Sequence, residues 1–180
     1  MSLVANVTSA FEGVLPSGVL PDVEKQGNFI RTSWDRLAKV PGGKALFSRL
    51  VGVAAPYTGS MGAKVVELGR GHARVELADR RKVRNHLDCV HAIALANLAE
   101  LTGNVAVAYT LPDDARFIVA GMDISYLKKA RGTITGAASC PLFDSNEKSE
   151  HDIEVSLTNR EGEQVVVATL RTLIGPKKKR

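Results

Sequence analysis

The chain has 180 residues, 44% of them hydrophobic and 24% charged, which suits one domain with a real core and is short for two. Its net charge of +5 comes almost wholly from Lys177, Lys178, Lys179 and Arg180, so the body is nearly neutral and that run reads as a solvated end. The scattered aromatics lack the aromatic and basic interleaving of a nucleic-acid binder, and Cys89 and Cys140 alone can build neither a disulfide framework nor a four-thiolate zinc site.

In chain order, Gly13, Pro16, Gly18, Pro21 and Gly27 break the first forty residues into loop and short helices packed on the outside. The start lacks the basic opening and long apolar core of a signal peptide, and a reducing cytoplasm is the expected location. Residues 28–39 predict a helix with Phe29, Ile30, Trp34 and Leu37 on one face, stopped by Pro41-Gly42-Gly43. A second, over 44–55, carries Leu46, Phe47, Leu50, Val51 and Ala54 and ends before Pro56.

From Ser60 the period changes to two. Strands are expected over 63–68 and 71–77, joined by a turn at Leu68-Gly69-Arg70-Gly71. The longest apolar segment follows, 91–109, rich in Ala and Leu. Asn97, Glu100, Thr102, Gly103 and Asn104 interrupt it, so it reads as a buried helix and no membrane span is expected. Further strands are expected over 117–127, 132–139, 153–158 and 164–174, the last two joined at Asn159-Arg160-Glu161-Gly162.

A helix apolar nearly all round needs cover on most sides, and a curved antiparallel sheet wrapped around it supplies that cover. The fold class is therefore α+β, a hot-dog fold with extra N-terminal helices. The expected division is a helical extension over 1–59, the hot-dog domain over 60–175 and the basic tail over 176–180. A single sheet of this kind leaves the apolar edge near 117–124 uncovered, which predicts a homodimer and leaves open a dimer of dimers.

Glu100 is the one ionisable side chain between His91 and Tyr109. A carboxylate among Ala, Leu and Val needs a reason: function, an exposed rim, or an arginine across a dimer interface. Upstream, Arg84-Asn85-His86-Leu87-Asp88-Cys89-Val90-His91-Ala92 is polar where the helix begins, and free backbone N–H groups collect there. Such N–H groups suit an oxygen that becomes negative during acyl transfer. Asn85 offers a side-chain donor. His91 either hydrogen-bonds a substrate or caps the helix, and His86 is a further substrate-binding candidate. Lys128, Lys129 and Arg131 form a cationic cluster suited to an anionic nucleotide tail, or simply a solvated strand end.

Asn85, then His91-Ala92 six and seven residues on, then Glu100 nine after His91, resembles the Asn…His-Gly-Gly…Asp/Glu signature of phenylacetate-type hot-dog thioesterases. More narrowly, Trp34, Pro41-Gly42-Gly43, Phe47, Ala55-Pro56-Tyr57, Arg84-Asn85-His86, His91-Ala92, Glu100 and the run from Tyr126 to Gly132 resemble the domain of unknown function 4442 group within that superfamily. The resemblance implies acyl-CoA or acyl-carrier thioester hydrolysis, with coenzyme A entering as part of the substrate and no separate cofactor or metal. It gives Glu100 the role of general base or nucleophile, Asn85 that of holding the water or carboxylate, and the Ala92 N–H that of polarising the thioester carbonyl. The second family Gly is Ile93 here, which narrows the space beside that carbonyl. Two alternatives remain open. One is a binding module that has kept the fold and lost the chemistry. The other is a dehydratase, since His86 and Glu100 stand fourteen apart, although Leu87-Asp88-Cys89 replaces the Phe-Pro-Gly of such enzymes.

Overall fold

The computed structural model describes residues 27–177. The early breakers, Gly13 to Pro21, and the last three residues of the basic tail lie outside the described residues.

Asn28 opens helix α1 (Phe29–Leu37) and serves two helices at once. Its Oδ1 accepts the Arg31 N–H at 2.9 Å, while its Nδ2 donates to the carbonyls of Ala108 at 2.7 Å and Leu111 at 3.1 Å. Those are carbonyls that the end of the long helix cannot satisfy by itself. At Gly42 φ is +77°, which lets the chain reverse into α2 (Gly43–Ala54). Phe47 on α2 is fully buried and meets the edge of Trp34 with ring centroids 5.1 Å apart, so aromatic packing joins the first two helices. A short α3 (Pro56–Met61), not expected from the sequence, begins on Pro56, whose missing N–H costs nothing at a helix start.

Six strands follow: β1 (Lys64–Gly69), β2 (His72–Leu77), β3 (Ala115–Tyr126), β4 (Ile134–Ser139), β5 (Ser149–Thr158) and β6 (Gln164–Pro176). They form one antiparallel sheet in the order β1-β2-β4-β5-β6-β3. Between β2 and β3 runs α4 (Ala92–Thr110), about 28 Å long at 1.5 Å per residue. It packs against all six strands, so the sheet curves around it, and this is the hot-dog fold. By length and a mean hydropathy of 1.2 the same helix could cross a membrane, but here it is the core of the sheet.

Small residues let α4 sit this close. A Cβ at Gly103 would lie 2.3 Å from Leu170 Cδ1, and one at Gly136 on β4 would lie 2.5 Å from Thr102 Oγ1. The floor beneath the helix consists of fully buried Leu77, Ile134, Ile153, Leu157 and Leu170, one inward face of alternating strands. β5 starts four residues before its expected position. Ser149, Glu150, His151 and Asp152 carry no apolar alternation, and only their backbone pairing with Ile174, Leu173, Thr172 and Arg171 makes them strand.

Candidate active site

The connection from β2 to α4 is held by a largely buried carboxylate. The Asp79 side chain is 7% exposed; its Oδ1 accepts from Arg84 Nε at 2.6 Å and its Oδ2 from the Gly132 N–H at 2.9 Å. Arg84 continues to Asp88 Oδ1 at 2.7 Å, closing the loop across its own base. Inside that loop the Asn85 N–H donates to the Cys89 carbonyl, and Asn85 Oδ1 accepts the Leu87 N–H at 2.9 Å. Asp88 sits at φ +53°, in the left-handed region that Asn and Asp tolerate better than most residues. The Val90 N–H donates to the Ala130 carbonyl, so the segment after β3 backs the loop.

Arg84's hydrogen bond, chiefly, holds the Asp79 carboxyl below the usual carboxylate range; the Gly132 N–H and the charges of Arg84 and Arg131 add to it, and burial opposes them. Because the folded value lies below the unfolded one, this stabilisation is complete above about pH 4 and is lost as pH falls through the folded value. Asp79→Asn is therefore expected to lower the urea midpoint at neutral pH, with the gap to the parent closing on acidification. Denaturant midpoints taken stepwise below about pH 4 check this, and a gap independent of pH would show that the charge is irrelevant.

His91 is the N-cap of α4. Its Nδ1 accepts the Ile93 N–H at 3.1 Å, so the neutral ring carries its proton on Nε2. This contact is a helix cap, and it leaves Nε2 facing away from the capped N–H. The neighbouring Ala92 N–H has no hydrogen-bond partner among the described residues, while the Ala92 carbonyl accepts the Tyr126 hydroxyl at 3.1 Å. Tyr126, at the end of β3, thus braces the first turn, and burial pushes its phenol above the usual value. Sequence reasoning gave Asp79 no role and named Tyr126 only as the first residue of the run from Tyr126 to Gly132; the bracing role of each appears only once the sheet is closed.

Along α4, Ile93, Ala96, Glu100 and Asn104 fall at helical spacing and remain partly or fully exposed, while most of the helix beyond its first turn is covered. Glu100 is half-buried on this stripe and has no hydrogen bond or ion pair among the described residues. One turn away Asn97 is buried and accepts the Thr58 hydroxyl at 3.0 Å. Glu100 lies eight positions beyond Ala92, about 12 Å along the axis.

The cationic cluster is divided by the fold. Lys128 pairs with Glu163 at 2.7 Å, and its hydrogen bond, with that of Asn159, lowers the Glu163 carboxyl. Arg131 reaches back to the loop, its Nε donating to the Asp88 carbonyl at 3.3 Å. Lys129 and His86 are exposed, with no partner among the described residues. A cleft of about 620 Å³ lies apart from these residues, between α2, α3 and β1, and touches α4 at Leu101.

Residues 43–174 match the family model described as Domain of unknown function (DUF4442). The chain belongs to that family. The DUF4442 match begins at the first residue of α2, so it takes in α2 and α3 together with the sheet and α4 and leaves out α1. Among solved structures, the chain is similar to a structural-genomics target at 31% identity, over 82% of this chain and 99% of that one, with a TM-score of 0.72. It is also similar to a protein of unknown function from Pseudomonas aeruginosa described as a probable thioesterase, at 22% identity, over 76% and 97%, with a TM-score of 0.67. A thioesterase from Haemophilus influenzae aligns at 14% identity, over 69% and 85%, with a TM-score of 0.62. At those identities the last two speak for the fold. No curated protein matches the chain.

Proposed function

We propose that this DUF4442 protein hydrolyses acyl thioesters, of coenzyme A or of a carrier-borne pantetheine, as a cytoplasmic homodimer. The observation that carries the reading is Glu100, a half-buried carboxylate without a hydrogen bond or ion pair among the described residues, on the exposed stripe of an otherwise apolar core helix. The names of the Pseudomonas and Haemophilus structures support the same reaction class.

In this mechanism Glu100 takes a proton from water as the oxygen attacks the thioester carbonyl. The Ala92 N–H, at the positive end of α4, holds the resulting oxyanion. Collapse expels the thiolate, which receives the proton from Glu100. The Asn85 side chain spends its oxygen on the loop and has its Nδ2 left to orient the water or the carboxylate. In this reading the exposed Lys129 and His86 meet the coenzyme's anionic end, with Lys128 and Arg131 contributing charge from their braced positions.

The roughly 12 Å between Glu100 and Ala92 along one helix is too far for both to serve one carbonyl, since attacking and stabilising groups each need to be within about 3 Å of the reacting atoms. A second copy resolves this if Glu100 of one protomer faces Asn85 and Ala92 of the other. The free edge of β3, with Ile118 65% exposed and Met122 39% exposed, is where that copy would pair. A medium or long acyl chain is expected, lying along the open stripe of α4 at Ile93 and Ala96, since the inward strand faces are filled by the helix itself.

A second reading is a binding module without hydrolysis, favoured by Ile93, a residue 55% exposed beside the proposed oxyanion donor. Thiol release from acetyl-, hexanoyl- and dodecanoyl-CoA decides between them, with sedimentation run on the same sample. Hydrolysis that rises with chain length, by a particle of at least two subunits, is expected. Binding of all three esters without thiol release would establish the module instead, and a stable compact monomer would remove the shared site.

A further inference from the structure

The cleft between α2, α3 and β1 has the volume of a small-molecule site, about 620 Å³. Its walls are apolar: Leu46, Val51 and Val53 from α2, Val65 from β1 and Leu101 from α4. Its charged lining is of one sign, made of Arg49, Lys64 and Arg80, and no carboxylate lines it among the described residues. Arg80 is fixed there by donating to the carbonyls of Met61 at 3.1 Å and Gly62 at 3.0 Å. Gly62, at φ +67°, leaves the space that this guanidinium fills; a Cβ would lie 2.7 Å from Arg80 Nη2 and 3.4 Å from Lys82 Nζ. Arg49 and Lys64 have no acidic partner among the described residues. Like charges that line one cleft repel each other, and a bound anion relieves that repulsion.

An apolar trough with a cationic rim matches one ligand chemistry, an aliphatic chain ending in an anion. We propose that this cleft binds a free fatty carboxylate, chain against Leu46, Val51, Val53 and Leu101, head among Arg49, Lys64 and Arg80. None of the residues assigned to thioester chemistry lines the cleft. The proposal therefore stands apart from the thioesterase reading, and either can fail alone. Leu101 follows Glu100 directly in α4, and Thr58, another lining residue, donates to Asn97 at 3.0 Å, so a ligand here touches the helix that carries the candidate site.

Calorimetric titration of the full chain with octanoate, decanoate, dodecanoate and dodecanol tests this. Affinity is expected to rise by up to about fourfold per added methylene, the worth of one buried CH₂, with dodecanoate binding tighter than dodecanol. The double variant Arg49→Gln/Lys64→Gln should weaken dodecanoate three- to tenfold, roughly the value of two exposed ion pairs, and leave dodecanol unchanged. Ala45→Trp, at an exposed lining position, should fill the cleft and abolish binding. Glu100→Gln should bind dodecanoate as the parent does. Absence of binding in the full chain, equal affinity for acid and alcohol, or retention of binding in Ala45→Trp would each overturn the site. The last result would move the carboxylate to a site elsewhere on the chain.

Discussion

Glu100→Gln is expected to reduce thioester hydrolysis about a hundredfold or more, the usual worth of a general base, while fold and assembly persist. The substitution keeps size and hydrogen-bonding capacity and removes only the ability to take a proton. Because Glu100 has no hydrogen bond or ion pair among the described residues, no described partner is stranded by the change. Circular dichroism and sedimentation should match the parent, and a non-hydrolysable acyl-CoA analogue should bind with similar affinity. Asn85→Ala provides the contrast. Its Oδ1 receives the Leu87 N–H and, at 3.4 Å, the Cys89 N–H, so its loss loosens the loop as well as the water site. Turnover should fall less than for Glu100→Gln, accompanied by a lower unfolding midpoint that the Glu100 variant does not show. Full activity in Glu100→Gln would make the carboxylate structural and send the search elsewhere.

Phe47→Ala is expected to cost about 3–5 kcal/mol, among the largest effects of any single truncation in this chain. Phe47 is fully buried and holds the edge of Trp34, itself 6% exposed, so its removal opens a cavity between α1 and α2. Neighbouring groups are poorly able to collapse into that space. Asn28 ties the start of α1 to the end of α4, and Ser48 Oγ accepts the Val65 N–H at 2.9 Å, tying α2 to β1. At roughly 2–4 °C per kcal/mol for a domain of this size, the melting temperature should drop by about 10 °C. Calorimetry checks this, and a shift below about 2 °C would mean that the helices contribute little to the cooperative unit.

The path from sequence to site differs between elements for definite reasons. The long helix was legible because a 19-residue stretch dominated by Ala, Leu and Val has few soluble solutions other than burial. β2 was legible from strict alternation, with Ala73, Val75 and Leu77 inward and His72 and Arg74 outward. The first four residues of β5 were not, because strand character there comes from pairing with β6 and leaves no trace in side-chain polarity. The short helix at Pro56–Met61 was likewise hidden, since a Pro after an apolar helix marks an end as readily as a beginning.

Among the site candidates, local sequence determined what each residue can do chemically, and the fold decided what it is free to do. That Glu100 is a carboxylate amid aliphatic neighbours, that Ala92 opens a helix, and that Asn85 lies in the polar loop before it all follow from order along the chain. Three similar cations within four residues looked equivalent in sequence. Closure of the sheet gave Lys128 a carboxylate and Arg131 two backbone carbonyls, and left Lys129 to solvent. Asp79 became the anchor of the loop because packing brought Arg84 and the Gly132 N–H to the same carboxylate from 5 and 53 residues away. Hydrophobic period and helix starts are local properties, carried by side-chain type within a few residues. Partnership between charges is a property of which distant segments the core brings together, and only the tertiary structure specifies it.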